Sequence, residues 1–198
     1  LNPAMSQLHA FVSEYSARDQ PWRYLFQTTD VIMGTLLCLA GLATLVWARH
    51  RPLGRQGWSG VGFVAGGFFS VLDALVTMDC SPTRSQACMA AEEAGHVSVN
   101  HIVHVGTSTI VVVGFALPIL LLNSTMTRFR GFGLVVTWAW VVFTLLNGIG
   151  AVGWFVGTPM DYTGIWQRFS LGLGTLWWLI LAADDIVTAR VQDRARSC

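Results

Sequence analysis

Five apolar runs, each long enough to cross a bilayer as a helix, decide what kind of protein this chain can be. A transmembrane helix needs about 20 mainly apolar residues to cover a hydrocarbon core of ~30 Å. Residues 31–48 carry no charge, 57–78 carry only Asp73, and 131–160 are again uncharged. Residues 97–122 contain no Asp, Glu, Lys or Arg, but they do contain His101 and His104. A fifth run, 164–183, opens with Gln167 and Arg168, near enough to its end for the guanidinium to reach the interface. None of the runs alternates, and all exceed the ~10-residue segments of a membrane barrel, so the expected fold class is all-α, a polytopic membrane bundle. Composition agrees, with 53% of the 198 residues hydrophobic and only 12% charged, against about 25% charged in soluble domains. A net charge of +1 offers nothing for drawing in nucleic acid, which is excluded as a partner.

Loop charges predict the orientation. Arg49, Arg51, Arg55, Arg128, Arg130, Arg190, Arg194 and Arg196 follow the first, third and fifth spans, whereas Arg18, Arg23, Arg84 and Arg168 lie on the other side. By the positive-inside rule the Arg-rich side is cytoplasmic, which puts the N-terminal segment outside and the C-terminus inside. The expected organisation is an external segment 1–27, a bundle 28–189 with an external loop 79–96, and a cytoplasmic tail 190–198. Five spans with an external N-terminus imply a cleaved signal or a further helix ahead of Leu1, and a sixth, N-terminal span is expected. Within the external segment Met5, Leu8, Val12 and Tyr15 recur at helical spacing, with Asn2-Pro3 as a start and Arg18-Asp19-Gln20-Pro21 as a stop. An amphipathic surface helix and a mobile arm are equal alternatives there.

Cys80 and Cys88 share the external loop, in a stretch rich in Ser, Thr, Pro and Gln, and a disulfide between them is expected. Cys38 reads as a small buried residue in a span and Cys198 as a free thiol on the tail.

Ionisable groups inside a span are costly and point to function when they face protein or water. On the second span Gly62, Gly66, Ser70, Asp73 and Thr77 form one small, polar face suited to packing on another helix. Asp73 is placed roughly 8 Å below the external end at 1.5 Å per residue. On the third, Asn100, His104, Thr107 and Ser108 form a stripe, with His101 about 60° away. Asp79, His96, Gln167 and Arg168 border the same level. Three readings compete for this set. The groups satisfy one another structurally; or they form a pocket for a lipid headgroup, with Arg168, Gln167, Asp79 and His96 as ligand-binding residues; or Asp73, His101 and His104 serve a hydrolase or transferase acting on lipid. In that last case the same three are the candidate zinc ligands, although His-x-x-His lacks the glutamate of HExxH. An accessory subunit of a larger membrane complex, docking through Gly-rich faces, is a further alternative. Asp184 and Asp185 are expected to meet water and Arg190, and Trp138, Trp140, Trp154, Trp166, Trp177 and Trp178 to serve the membrane belt and packing. No phosphate-binding or dinucleotide loop, nucleophile elbow or transporter-like inverted repeat is found.

Short motifs spread over the chain carry a resemblance. They are Val12-Ser13-Glu14-Tyr15-Ser16-Ala17 with Gln20-Pro21, then Asp79-Cys80-Ser81-Pro82 ahead of a His-bearing span, then Gly164-Ile165-Trp166-Gln167-Arg168 with Trp177-Trp178. In these the chain resembles the bacterial multi-pass membrane family catalogued as domain of unknown function 998, over nearly its whole length. The resemblance implies a compact helical bundle in a bacterial inner membrane and brings no reaction with it. Its members usually have six spans, and the one preceding the first external loop is missing from this sequence. A likeness in layout to eukaryotic multi-pass proteins of lipid-anchor remodelling favours lipid handling by analogy.

Overall fold

The computed structural model describes residues 5–49, 54–155 and 162–196. Leu1, Asn2-Pro3, Arg51, Asp161 and Cys198, and the side chains of Trp154, Arg194 and Arg196, lie outside the described residues. Among the described residues the fold is all helical: α1 (Arg23–Ala48), α2 (Arg55–Leu75), α3 (Gln86–Glu93), α4 (Val99–Leu122), α5 (Arg130–Phe155) and α6 (Thr163–Arg196). All except α3 are long and apolar enough to cross a membrane.

Local chemistry explains the ends. Pro21 precedes α1 by two residues, and a proline whose φ already suits a first turn opens a helix as readily as it blocks one. The Arg18–Pro21 stretch leads into α1 just ahead of its cap residue Trp22, and no α-helix precedes it among the described residues. Ser85 caps α3, its Oγ accepting from the Cys88 N–H, and Ser98 caps α4 in the same way towards His101 N–H. The short α3 lies inside the expected disulfide loop, and the Cys80–Cys88 bond is formed. At the far end of the chain α6 continues to Arg196, through most of the segment read as a tail.

The helices pack as two groups. In the first, α2 lies between α1 and α4. A Cβ on Gly34 of α1 would stand 2.6 Å from the Gly67 carbonyl of α2, and one on Gly114 of α4 would stand 2.6 Å from the Gly66 Cα. Backbones this close are typical of membrane helices, where dispersion has to replace the hydrophobic effect. The Gly62/Gly66 face does meet another helix, as its spacing implies, and that helix is α4. In the second group α5 and α6 pair directly. An apolar cluster of Ile119, Met126, Val136, Trp140, Trp177 and Ile180 joins the groups at one end of the bundle, aided by Phe63 against Trp178 with ring centroids 4.7 Å apart.

The opposite end carries a cap made from residues 5–22 and 76–98. The N-terminal part is neither an amphipathic helix nor an arm: it is a run of turns with a single 3-10 turn, Val12–Ser16. Its polar backbone groups bond to other elements in place of their own helix, Arg18 N–H to the Met78 carbonyl and Ile165 N–H to the Leu8 carbonyl. Met5, Ala10 and Tyr15 are buried together against Phe26.

Candidate functional site

A buried carboxylate fastens the two parts of the cap together. Glu14 is fully buried (0% exposed) and accepts from four donors: the Phe11 N–H, the Ser81 hydroxyl, and the N–H and hydroxyl of Thr83. Burial pushes the Glu14 carboxyl above its ordinary pKa, against the opposing pull of those four hydrogen bonds. The N-terminal segment is thereby fastened to the disulfide loop. It is fastened to α6 as well: the Val12 N–H donates to Gln167 Oε1, and Arg168 Nη1 donates to the Ala10 and Gly164 carbonyls at 2.8 Å each. Gly164 is needed there because the Ala10 carbonyl would strike any Cβ.

Asp79 ties the loop to α4. Its oxygens accept from the Ser98 N–H at 2.6 Å and the Ser98 hydroxyl at 2.8 Å, and Arg18 Nη1 lies 3.4 Å away. Partial desolvation opposes ionisation, but the two Ser98 bonds, Arg18 and His101 outweigh it and hold the carboxyl below the usual range. His96 is exposed.

Beneath the cap the two helix groups part, and residues 104–113 of α4 face 144–151 of α5 across a cavity of about 250 Å³. Its ionisable groups, Glu14, Glu92 and His104, all lie at the cap end with Ser13 and Gln167, at the level of Val105 and Ala151, while further from the cap Ser108, Thr109, Thr144 and Asn147 share the wall with Val112 and Val113. Val113 is 60% exposed, and Thr109 and Gly148 are exposed too, so the cavity opens sideways between α4 and α5.

The carboxylate of the second span and an imidazole of the third do meet. His104 Nδ1 lies 3.4 Å from Asp73 Oδ1, 3.0 Å from the Asp73 carbonyl and 2.9 Å from the Val76 carbonyl. Asp73 Oδ1 also accepts from the hydroxyls of Thr107 and, at 2.9 Å, Ser108. Asp73 is only two residues from the end of α2, shallower than a span reaching 78 would place it. The helix stops at Leu75 and the Val76 carbonyl turns onto His104. All the Nδ1 partners are acceptors, so Nδ1 carries the hydrogen, and in the neutral form of the ring the lone pair lies on Nε2. His101 has the opposite tautomer, because its Nδ1 accepts from the Asp79 N–H at 3.3 Å and its Nε2 stands 3.9 Å from Glu92 Oε1. With Asp73 behind it, His104 can accept a hydrogen bond or a proton from a group in the cavity.

Among the described residues no three His, Cys, Asp or Glu side chains converge on a metal position, and His101 Nδ1 and His104 Nδ1 are both engaged by backbone groups.

The sequence-derived ligand set divides. Gln167 lines the cavity; Asp79 and His96 do not; and Arg168 lines a separate, smaller one with Gln7, Val12, Tyr15 and Phe26. Sequence reasoning passed over Glu14, Glu92 and Asn147 as site residues. Asn147, an amide within an otherwise uncharged span, was a visible signal, whereas Glu14 and Glu92 read as ordinary loop carboxylates. Asp184 is likewise not in water: it is 2% exposed and accepts from the N–H groups of Thr127, Arg128 and Phe129 just ahead of α5. Its spacing from Trp177 and Ile180 put it on the core face.

Stretches 12–17, 79–82 and 164–168, far apart in sequence, thus meet at the cap, Glu14 bonding to Ser81 and Val12 to Gln167, whereas Trp177-Trp178 packs at the other end of the bundle. The family model of a protein of unknown function, DUF998, matches residues 1–184. No curated protein and no solved structure matches the chain.

Proposed function

We propose a role for this chain, which belongs to the DUF998 family of proteins of unknown function and is an integral membrane protein, as a binder of membrane lipid. A lipid enters sideways between α4 and α5, its polar end beneath the cap and the start of its acyl chain along Val112 and Val113. The observation that carries this reading is a cavity whose ionisable groups, Glu14, Glu92 and His104, are all at its cap end and whose exposed rim lies along two membrane-spanning helices. Leaving bilayer for an apolar wall gains a lipid little, so affinity and selectivity come from the polar end. The volume of about 250 Å³ takes a headgroup and the first part of a chain, and the remainder stays in the bilayer.

The test is a plug. A Cβ on Gly148 meets nothing within 4 Å, and the same is true of Gly172 on an exposed part of α6, away from the cavity. Native mass spectrometry of protein extracted in mild detergent is expected to show retained lipid on wild type and on Gly172→Phe, and at least a fivefold loss on Gly148→Phe. The reading fails if wild type retains no lipid, or if the Gly148→Phe variant retains as much.

A further inference from the structure

The polar end of the cavity is short of donors with positive charge and supplied with acceptors. His104 is 2% exposed, and its Nε2, which bears the lone pair in the tautomer fixed by the Asp73 and Val76 carbonyls, has no hydrogen-bond partner among the described residues. A buried polar atom left without a partner is unusual in a folded protein and marks a place where a ligand can complete the bonding. The carboxylate of Glu92 and the amide of Asn147 line the same cavity, and Asn147 Oδ1 is buried without a partner as well. Glu14 is not available, since its four donors occupy it. Among the described residues no arginine lines this cavity, and Arg168, the guanidinium expected from the sequence to meet an anion, donates through Nη1 to the Ala10 and Gly164 carbonyls and borders the other cavity.

We infer that the cavity selects an amphiphile whose headgroup ends in a primary ammonium, which donates to His104 Nε2 and Glu92. The inference rests on the lipid-binding reading above and specifies its ligand. An ammonium offers three donors and a positive charge to a wall holding a lone pair and a carboxylate. A quaternary ammonium has the charge but no N–H to give, and an anionic headgroup sets its charge against Glu92. Discrimination by a missing donor is strong because the protein acceptor then stays buried and unpaired.

The experiment offers purified full-length protein, in detergent, phosphatidylethanolamine, phosphatidylcholine and phosphatidylglycerol with identical acyl chains, and counts bound lipid by native mass spectrometry. All three share the phosphodiester and the chains, so differences report the terminal group alone. Phosphatidylethanolamine is expected to be retained about tenfold over phosphatidylcholine, equivalent to ~1.4 kcal/mol, and over phosphatidylglycerol as well. His104→Phe is expected to remove that preference, and Glu92→Gln, a milder change beside the cap surface, to reduce it, so the test stands even if the first variant does not fold. Equal retention of the three lipids, or preference for phosphatidylglycerol, overturns the ammonium inference and leaves lipid binding intact. Retention of none of them by wild type overturns both.

Discussion

At the scale of single residues the protein's polar chemistry is concentrated in groups whose partners are far away in sequence. Glu14 bonds across more than sixty residues to Ser81 and Thr83, Asp73 across thirty-one to the His104 ring, and Asp184 reaches back to the start of α5. Removing such an acceptor leaves its donors buried and unsatisfied, the costliest way to lose a hydrogen bond. Glu14→Ala is therefore expected to destabilise the protein by roughly 3 kcal/mol, read as a lowered thermal midpoint in detergent. The pH dependence follows from two carboxylates outside the spans, Glu14 and Asp79. The raised Glu14 value makes its protonated form the favoured one in the fold, so its contribution declines as pH rises from the ordinary glutamate range through the folded value. The lowered Asp79 value acts in the other direction, stabilising above the ordinary aspartate range and failing as pH falls through its folded value. Wild type is expected to lose stability on the alkaline side of that Glu14 window, and Glu14→Gln, which cannot ionise, to lose less. Parallel stability profiles for the two proteins would show that Glu14 is not the titrating group.

At the scale of elements, glycine decides which helices touch. The two glycine faces of α2 admit α1 and α4 to backbone contact, and the second of these contacts brings Asp73 within reach of His104. Gly114 and Gly106 make a controlled pair on α4, since a Cβ at Gly114 would lie 2.6 Å from the Gly66 backbone whereas one at Gly106 meets nothing within 4 Å. Gly114→Ala is expected to cost about 1–3 kcal/mol through forced separation of α2 and α4. Gly106→Ala is expected to be neutral or stabilising by up to ~1 kcal/mol through helix propensity. Unfolding by titration with a denaturing detergent separates the two, and equal behaviour would mean that the α2–α4 contact is not tight.

At the scale of the whole molecule, every helix end described near the cap alternates with one at the remote end, so a single orientation follows for all spans. From the excess of Arg on the loops remote from the cap, the cap is expected on the outer side of the membrane. With Cys38 and Cys198 replaced by alanine, a membrane-impermeant maleimide is expected to label Leu8→Cys in intact cells. Arg190→Cys, exposed at the other end of the molecule, should react only after permeabilisation. Labelling in the reverse order would invert the topology.

Number and type of span, the disulfide pair and the small-residue face of α2 were legible from residues 31–48 onward because each is a local property. Whether a run suits hydrocarbon depends on its own residues and on the thickness of the bilayer. The identity of each polar group's partner was not legible, because it depends on how every helix is rotated about its axis, and packing of distant glycines and tryptophans sets that rotation. The same spacing that placed Arg168 level with the histidines could not reveal that the Ala10 carbonyl would occupy it. Nor could the helical recurrence of Met5, Leu8, Val12 and Tyr15 show that hydrogen bonds to Met78, Gln167 and Ser81 would fold that segment into turns. The bilayer acts on each run separately, whereas a cavity exists only where two helix groups, joined at one end by Ile119, Trp140 and Trp177, diverge at the other.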